Sequence, residues 1–156
     1  AQRMAARHLM ARFTSAFKTG GAGTTALPMA SLYSVANCRP RIKEIGVFNT
    51  AATTFDVAVR RATTAGGTHT AREEIGVNDP LQTALATAFD VDTGTAPTLT
   101  AGNIRAATLG AAIGSGVIWT FSGDGLVIPD GTANGIVVVA IAGTPNICCV
   151  HFEWDE

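Results

Sequence analysis

The sequence predicts an all-β fold: an antiparallel β-sandwich or jelly roll of about 8–9 short strands, preceded by an extended or short-helical N-terminal arm. Three observations point there. Short runs rich in β-branched and aromatic residues recur between turn formers from Arg41 to Trp154. The dipeptides Asp130-Gly131 and Asn134-Gly135 are turn signals lying between such runs. The last run alternates with a period of two, so Cys148, Val150, Phe152 and Trp154 share an apolar face while Ile147, Cys149, His151 and Glu153 share the other.

The elements follow in chain order. Residues 1–25 divide into a basic arm and a Gly-rich hinge, TGGAGTT (Thr19 to Thr25). Within the arm Leu9, Phe13 and Phe17 fall at i, i+4 and i+8, the spacing of a short amphipathic helix over 3–18. The body, residues 26–156, is a single β-sandwich domain. Ser31 to Ala36 is a candidate strand, Arg41 to Phe48 (RIKEIGVF) a better one, and Phe55 to Arg61 is clear, with Phe55, Val57 and Val59 inward and Asp56, Ala58 and Arg60 outward. Between the last two, NTAATT (Asn49 to Thr54) suits a hairpin loop. Thr64 to Pro80 reads as a surface loop with one strand around His69 to Ile75, and Leu81 to Phe89 as strand or irregular structure. Asn103 to Gly110, Gly116 to Phe121 and Gly125 to Gly131 supply further strands. Finally, GIVVVAIA (Gly135 to Ala142), a GTPN turn and ICCVHFEW (Ile147 to Trp154) form two strands whose apolar face needs earlier strands to cover it, because a lone hairpin cannot bury it.

At 156 residues the chain suits one domain with a self-sufficient core. Hydrophobic residues make up 47% and charged ones only 15%, so much of the surface must be uncharged Ala, Thr, Ser and Gly, which suits burial against a neighbour. The near-neutral total hides a polarity. Residues 1–43 hold seven bases and no acid, giving +7, whereas residues 44–156 hold four bases against twelve acids, giving −8. The basic arm is expected to dock on a neighbouring copy or partner, with Arg3, Arg7, Leu9, Arg12, Phe13, Phe17 and Lys18 as its contacts. Deleting residues 1–20 is then expected to leave a folded body. The bases show no repeated pattern pointing to nucleic acid, and no apolar run reaches the ~18 residues a membrane helix needs.

Candidate chemistry is sparse. Cys149 and His151 share a strand face, but four-coordinate zinc needs two further ligands and no CxxC or HxxxH supplies them, so no metal or cofactor is expected. Asp90-x-Asp92-x-Gly94 echoes the start of a calcium loop without its third acidic ligand or closing Glu, and reads as an Asx-capped turn. Glu73 and Glu74 diverge on a strand and are expected to be solvated. The three cysteines are expected to be reduced, small and buried. Trp119 and Trp154 lie in apolar strands and read as core or subunit interface. No enzyme is expected and no residue is assigned a catalytic role; an exposed cleft holding His69 or His151 beside an acid is the sign that would argue otherwise.

Four phrases carry a resemblance: RIKEIGVFNTAATTFDVAVRRATTAG (Arg41 to Gly66), LGAAIGSGVIWTF (Leu109 to Phe121), GLVIPDGTANGIVV (Gly125 to Val138) and the terminal WDE (Trp154 to Glu156). From about Arg39 to its end the chain resembles small β-sandwich structural proteins of tailed bacteriophages. The resemblance implies a capsid decoration or cement protein, a jelly-roll-like unit assembled in the host cytoplasm into the virion, often as a homotrimer, that clamps neighbouring subunits of the major capsid protein. It carries no catalytic signature. A tail-tube or head–tail connector subunit is the alternative in the same class, and a sixfold ring would select it. From another class, a carbohydrate- or surface-binding β-sandwich module would use Trp119 or the loop 64–80.

Overall fold

The computed structural model describes residues 10–156, and within them the short β-rich runs become eleven strands. These are β1 (Arg12–Lys18), β2 (Ala30–Tyr33), β3 (Arg41–Asn49), β4 (Phe55–Ala62), β5 (Ile75–Gly76), β6 (Thr87–Phe89), β7 (Arg105–Leu109), β8 (Gly116–Thr120), β9 (Leu126–Val127), β10 (Gly135–Gly143) and β11 (Cys148–Asp155). The count exceeds the 8–9 expected because β5, β6 and β9 are two or three residues long, too short to leave a period in the sequence. No helix occurs among the described residues.

The strands form two antiparallel sheets packed as a sandwich. One runs β5-β1-β11-β3-β8, with β9 pairing the start of β3, and the other runs β6-β2-β10-β4-β7. The pairs β1–β11, β2–β10, β3–β8 and β4–β7 are nested, as in one long hairpin folded back on itself. Rolling that hairpin up adds β11–β3 and β10–β4, which completes the path of a jelly roll.

Between the sheets lies one large core. Phe13, Ile45, Val47, Phe152 and Trp154 from the first sheet meet Leu32, Val57, Val59, Ile136 and Val138 from the second. The predicted apolar face of β11 is this core: Cys148, Phe152 and Trp154 are fully buried and Val150 nearly so. A second, smaller cluster of Tyr33, Ala62, Val137 and Val139 lies on the outer side of the second sheet, packed by Phe89, Leu99 and Ile141. The connection from β4 to β7 is anchored over that side: Thr63 N–H donates to Thr98 O (2.9 Å) and Thr100 N–H to Arg61 O (2.9 Å), around an Ala62–Leu99 bridge.

Several expectations are corrected. The helix over 3–18 is, in its described part, strand β1, which lies between β5 and β11. A spacing of four is even, so Phe13 and Phe17 share a face in a strand as well as in a helix, and pairing with β11 decides for the strand. Neither expected hairpin forms. Asn49 to Thr54 and the GTPN turn each carry the chain from one sheet to the other, since β3 and β11 belong to the first and β4 and β10 to the second. The hinge is tied down: Thr19 is buried and its N–H donates to Cys148 O (2.8 Å), while Gly20 N–H donates to Asp90 Oδ1 (2.8 Å). Ala58, although on the outward side of β4, is fully buried.

Two stability outcomes follow. Phe152→Ala should cost about 3–5 kcal/mol in chemical denaturation, and a loss below ~1 kcal/mol would show that Phe152 is not core. Deleting residues 1–20 should now abolish cooperative unfolding, because it removes β1 and the Phe13 side chain buried beside Trp154; a truncated chain with the full-length denaturation midpoint would refute this.

Candidate functional site

Two histidine–acid pairs flank the sandwich, and each opens on a concavity. The first is on the covered side of the second sheet. Tyr33 closes β2, and its ring lies flat against Gly135 of the paired strand, where any Cβ would collide with it. His69, from the segment after β4, stacks near Tyr33 (centroids 6.0 Å, planes 16° apart) and packs closely on Phe89 of β6 (3.9 Å). Its Nδ1 is 2.6 Å from Asp92 Oδ1, and the Asp92 side chain is wholly buried. Burial pushes the Asp92 carboxyl above the ordinary aspartate range, against the opposing pull of the His69 hydrogen bond and charge. The second oxygen, Asp92 Oδ2, has no hydrogen-bond partner among the described residues and lies where a Cβ on Gly66 would intrude. Tyr33 Oη donates to Thr64 O (3.2 Å), and burial followed by the Asp92 charge drives its phenol pKa upward, so it remains protonated. Over this network is a cavity of about 150 Å³ lined by Tyr33, Ser34, His69, Thr87, Phe89 and Thr132, among others.

The second pair is on the open side of the first sheet. Register places Ala16, His151, Gly46 and Ile118 in one row across β1, β11, β3 and β8, and Lys18, Cys149, Phe48 and Gly116 in the next. His151 lies over Gly46, whose missing side chain leaves room for the imidazole, and its Nε2 is 2.8 Å from Glu44 Oε1. Phe48 stacks near it (6.4 Å, planes 21° apart). The shallow groove here measures about 310 Å³, and Phe17, Lys18, Phe48, Cys149 and His151 help to line it. In each pair only the histidine lines the concavity: Asp92 is wholly buried and Glu44 does not line the groove of His151, so neither concavity holds a histidine and its acid side by side.

The arm residues take specific places. Arg12 Nε and Nη2 donate to the two Asp155 carboxylate oxygens (2.7 and 3.2 Å), with Glu153 3.4 Å from Nη1. That hydrogen bond and charge hold the guanidinium pKa above its ordinary value. Phe13 is buried in the chain's own core and Phe17 lies beneath the Arg72 guanidinium (5.2 Å). Lys18 is exposed at the groove, whereas Arg3, Arg7 and Leu9 lie outside the described residues. Of the segment proposed to reach a partner, Arg12 and Phe13 are therefore engaged within the chain.

Other candidates are redistributed. Asp90 is buried, paired with Arg72, and accepts the N–H groups of Gly20 and Val91, so the calcium-like phrase is a pair of buried anchors. Glu74 is half-buried; desolvation raises its pKa and its Oε1 accepts Ala88 N–H (3.0 Å), which corrects the solvated reading. Trp119 is 8% exposed and Trp154 fully buried, so Trp119 offers no open stacking face. Sequence reasoning missed Asp92 as the partner of His69, since 23 residues separate them and only the fold of the long connection brings them together. No cluster of three or more potential metal ligands occurs among the described residues. Compared with known proteins, the chain matches no family model, no curated protein and no solved structure.

The cysteines separate by burial. All three are free, but Cys149 is exposed, contrary to expectation. Burial pushes the Cys148 thiol up to about 12, and burial with a hydrogen bond to Glu156 pushes Cys38 up to about 12. A thiol titration at about pH 8 should therefore count Cys149 alone in the native protein and all three in denaturant. Native labelling of Cys148 at the rate of Cys149 would contradict this placement.

Proposed function

We propose that this chain is a non-enzymatic virion structural protein, a capsid decoration (cement) protein that binds its own copies, as a trimer, and the major capsid protein. The observation that carries the proposal is the distribution of exposed apolar side chains on a weakly charged sandwich. Leu81 is 90% exposed and Leu85 59%, with Ile75 and Val77 also open in the segment that runs from β5 to β6. A second group, Ile113, Ile118 and Ile147, gathers at the opposite side: Gly114 N–H donates to Asn49 O, Thr50 bonds to Ile147 O, and Ile118 pairs with Gly46.

Magnitudes favour these groups over charge as the source of binding energy. Each such side chain taken out of water contributes roughly 1.5–3 kcal/mol, whereas an exposed ion pair contributes about 0–1 kcal/mol. Charges such as Lys18 then set register and partner choice. The jelly-roll path and the phage-like phrases, which form β3 with β4, the approach to β8 and the β9–β10 region, support the same reading.

Light scattering on the full chain should give a trimer, and the double variant Leu81→Glu, Leu85→Glu should give a monomer with an unchanged circular dichroism spectrum and reduced occupancy on capsids. A wild-type chain that is monomeric at micromolar concentration and leaves capsids unbound would overturn the proposal. A sixfold ring would replace the capsid role with a tail-tube or connector role.

A further inference from the structure

We infer that the cavity between Tyr33, His69 and Phe89 binds one sugar ring, a hexose-sized glycosyl unit. The inference rests on this cavity alone and not on the virion role. A volume of about 150 Å³ admits one six-membered ring and little more. Tyr33, His69 and Phe89 make part of its wall aromatic, and aromatic faces pack against the C–H face of a pyranose with both surfaces withdrawn from water.

The polar groups distinguish a sugar from an apolar ring. His69 Nδ1 lies 2.6 Å from Asp92 Oδ1, which orients the ring and leaves Nε2 without a partner among the described residues, free to hydrogen-bond a sugar hydroxyl. The hydroxyls of Thr87 and Thr132, both lining the cavity, likewise make no hydrogen bond to the described residues. Ser34 Oγ donates to Cys38 O (2.6 Å), so its lone pairs remain free to accept. One oriented imidazole nitrogen, one further acceptor and two hydroxyls around a partly aromatic cavity match a ring whose edge carries several hydroxyl groups. An unsubstituted aromatic ligand would strand those polar groups, which weakens its binding.

The site is also built to stay in place. Tyr33 is set on Gly135, Phe89 is held in a sheet by pairing with Ser31, and His69 is held by a buried carboxylate, so little order need be gained on binding. Because Tyr33 to Val35 come from the end of β2, Ala65 and His69 from the segment after β4, Thr87 and Phe89 from β6 and Thr132 from the turn before β10, four separate segments converge here.

The test is an amide NMR titration of the full chain with glucose, galactose, mannose, N-acetylglucosamine and rhamnose. At least one should give saturable shifts confined to residues 65–69, 87–89 and 132–134, with Kd on the order of 1 mM. Thr132→Val, at an exposed turn position, should weaken that binding about tenfold while leaving the remaining spectrum unchanged, and His69→Phe should abolish it. A matching polysaccharide that the free sugar competes away would identify a glycan chain as the source, and free-sugar binding without it a soluble sugar. The inference is overturned if no sugar gives saturable shifts, if Thr132→Val and His69→Phe both bind as the wild type does, or if phenol saturates the cavity while every sugar fails.

Discussion

Pairing of the first described strand with the last is the constraint on which the remaining architecture depends. β1 and β11 run in register from Arg12 opposite Asp155 to Lys18 opposite Cys149. At the Arg12 end of that ladder Phe13 packs on Trp154, both buried, while Arg12 grips Asp155 through two hydrogen bonds. The ladder joins segments more than 130 residues apart, so its loop-closure entropy must be met before its contacts contribute. Once closed, it places β11 between β1 and β3 as an interior strand and leaves the remaining nested pairs with shorter loops to close. The ion pair, part-buried but open to water at Arg12, adds little energy by itself, and the buried aromatic contact supplies most of the stabilisation.

The two sheets meet solvent differently, and that asymmetry locates the candidate sites. In the second sheet Val137 and Val139 point away from the main core yet are fully buried, because the β4–β7 connection covers them. The first sheet leaves its outer rows open, with Cys149 and Ile118 exposed and His151 half-buried. A cavity with depth forms where a long segment lies over a sheet, while an uncovered sheet offers only a shallow groove. The His69 cavity and the His151 groove are the respective results.

This difference was already written into the two terminal strands. ICCVHFEW alternates, as a strand covered on one face must, whereas GIVVVAIA is continuously apolar, as a strand covered on both faces must be. The sandwich, the inward face of β11, the faces of β4 and the burial of Trp119 and Trp154 were legible for the same reason: period and burial are local properties. Which strands pair was not. Asn49 to Thr54 and Gly143 to Asn146 look like hairpin loops, and only the sheet path shows that they cross between layers. β1 was misread because four-residue spacing suits helix and strand alike. His69 could be singled out as a histidine in a long loop, but its partner Asp92 belonged to a phrase that resembled a cation loop, and nothing local links the two.

The His69–Asp92 pair also bears on what the covered side is for. A buried hydrogen-bonded pair of polar groups of this kind seldom improves stability over apolar residues of the same shape, because desolvating both groups offsets their attraction. Here the imbalance is larger, since Asp92 Oδ2 is buried without a partner among the described residues. The core proper, built from aliphatic and aromatic side chains, already stabilises the sandwich without this pair. What the carboxylate does supply is an oriented imidazole: with Nδ1 held, the ring cannot flip without breaking a 2.6 Å hydrogen bond to a buried partner. A group oriented at such a cost, at the wall of a cavity where the Thr87 and Thr132 hydroxyls have no partner among the described residues, is better explained by what enters the cavity than by what it adds to the fold.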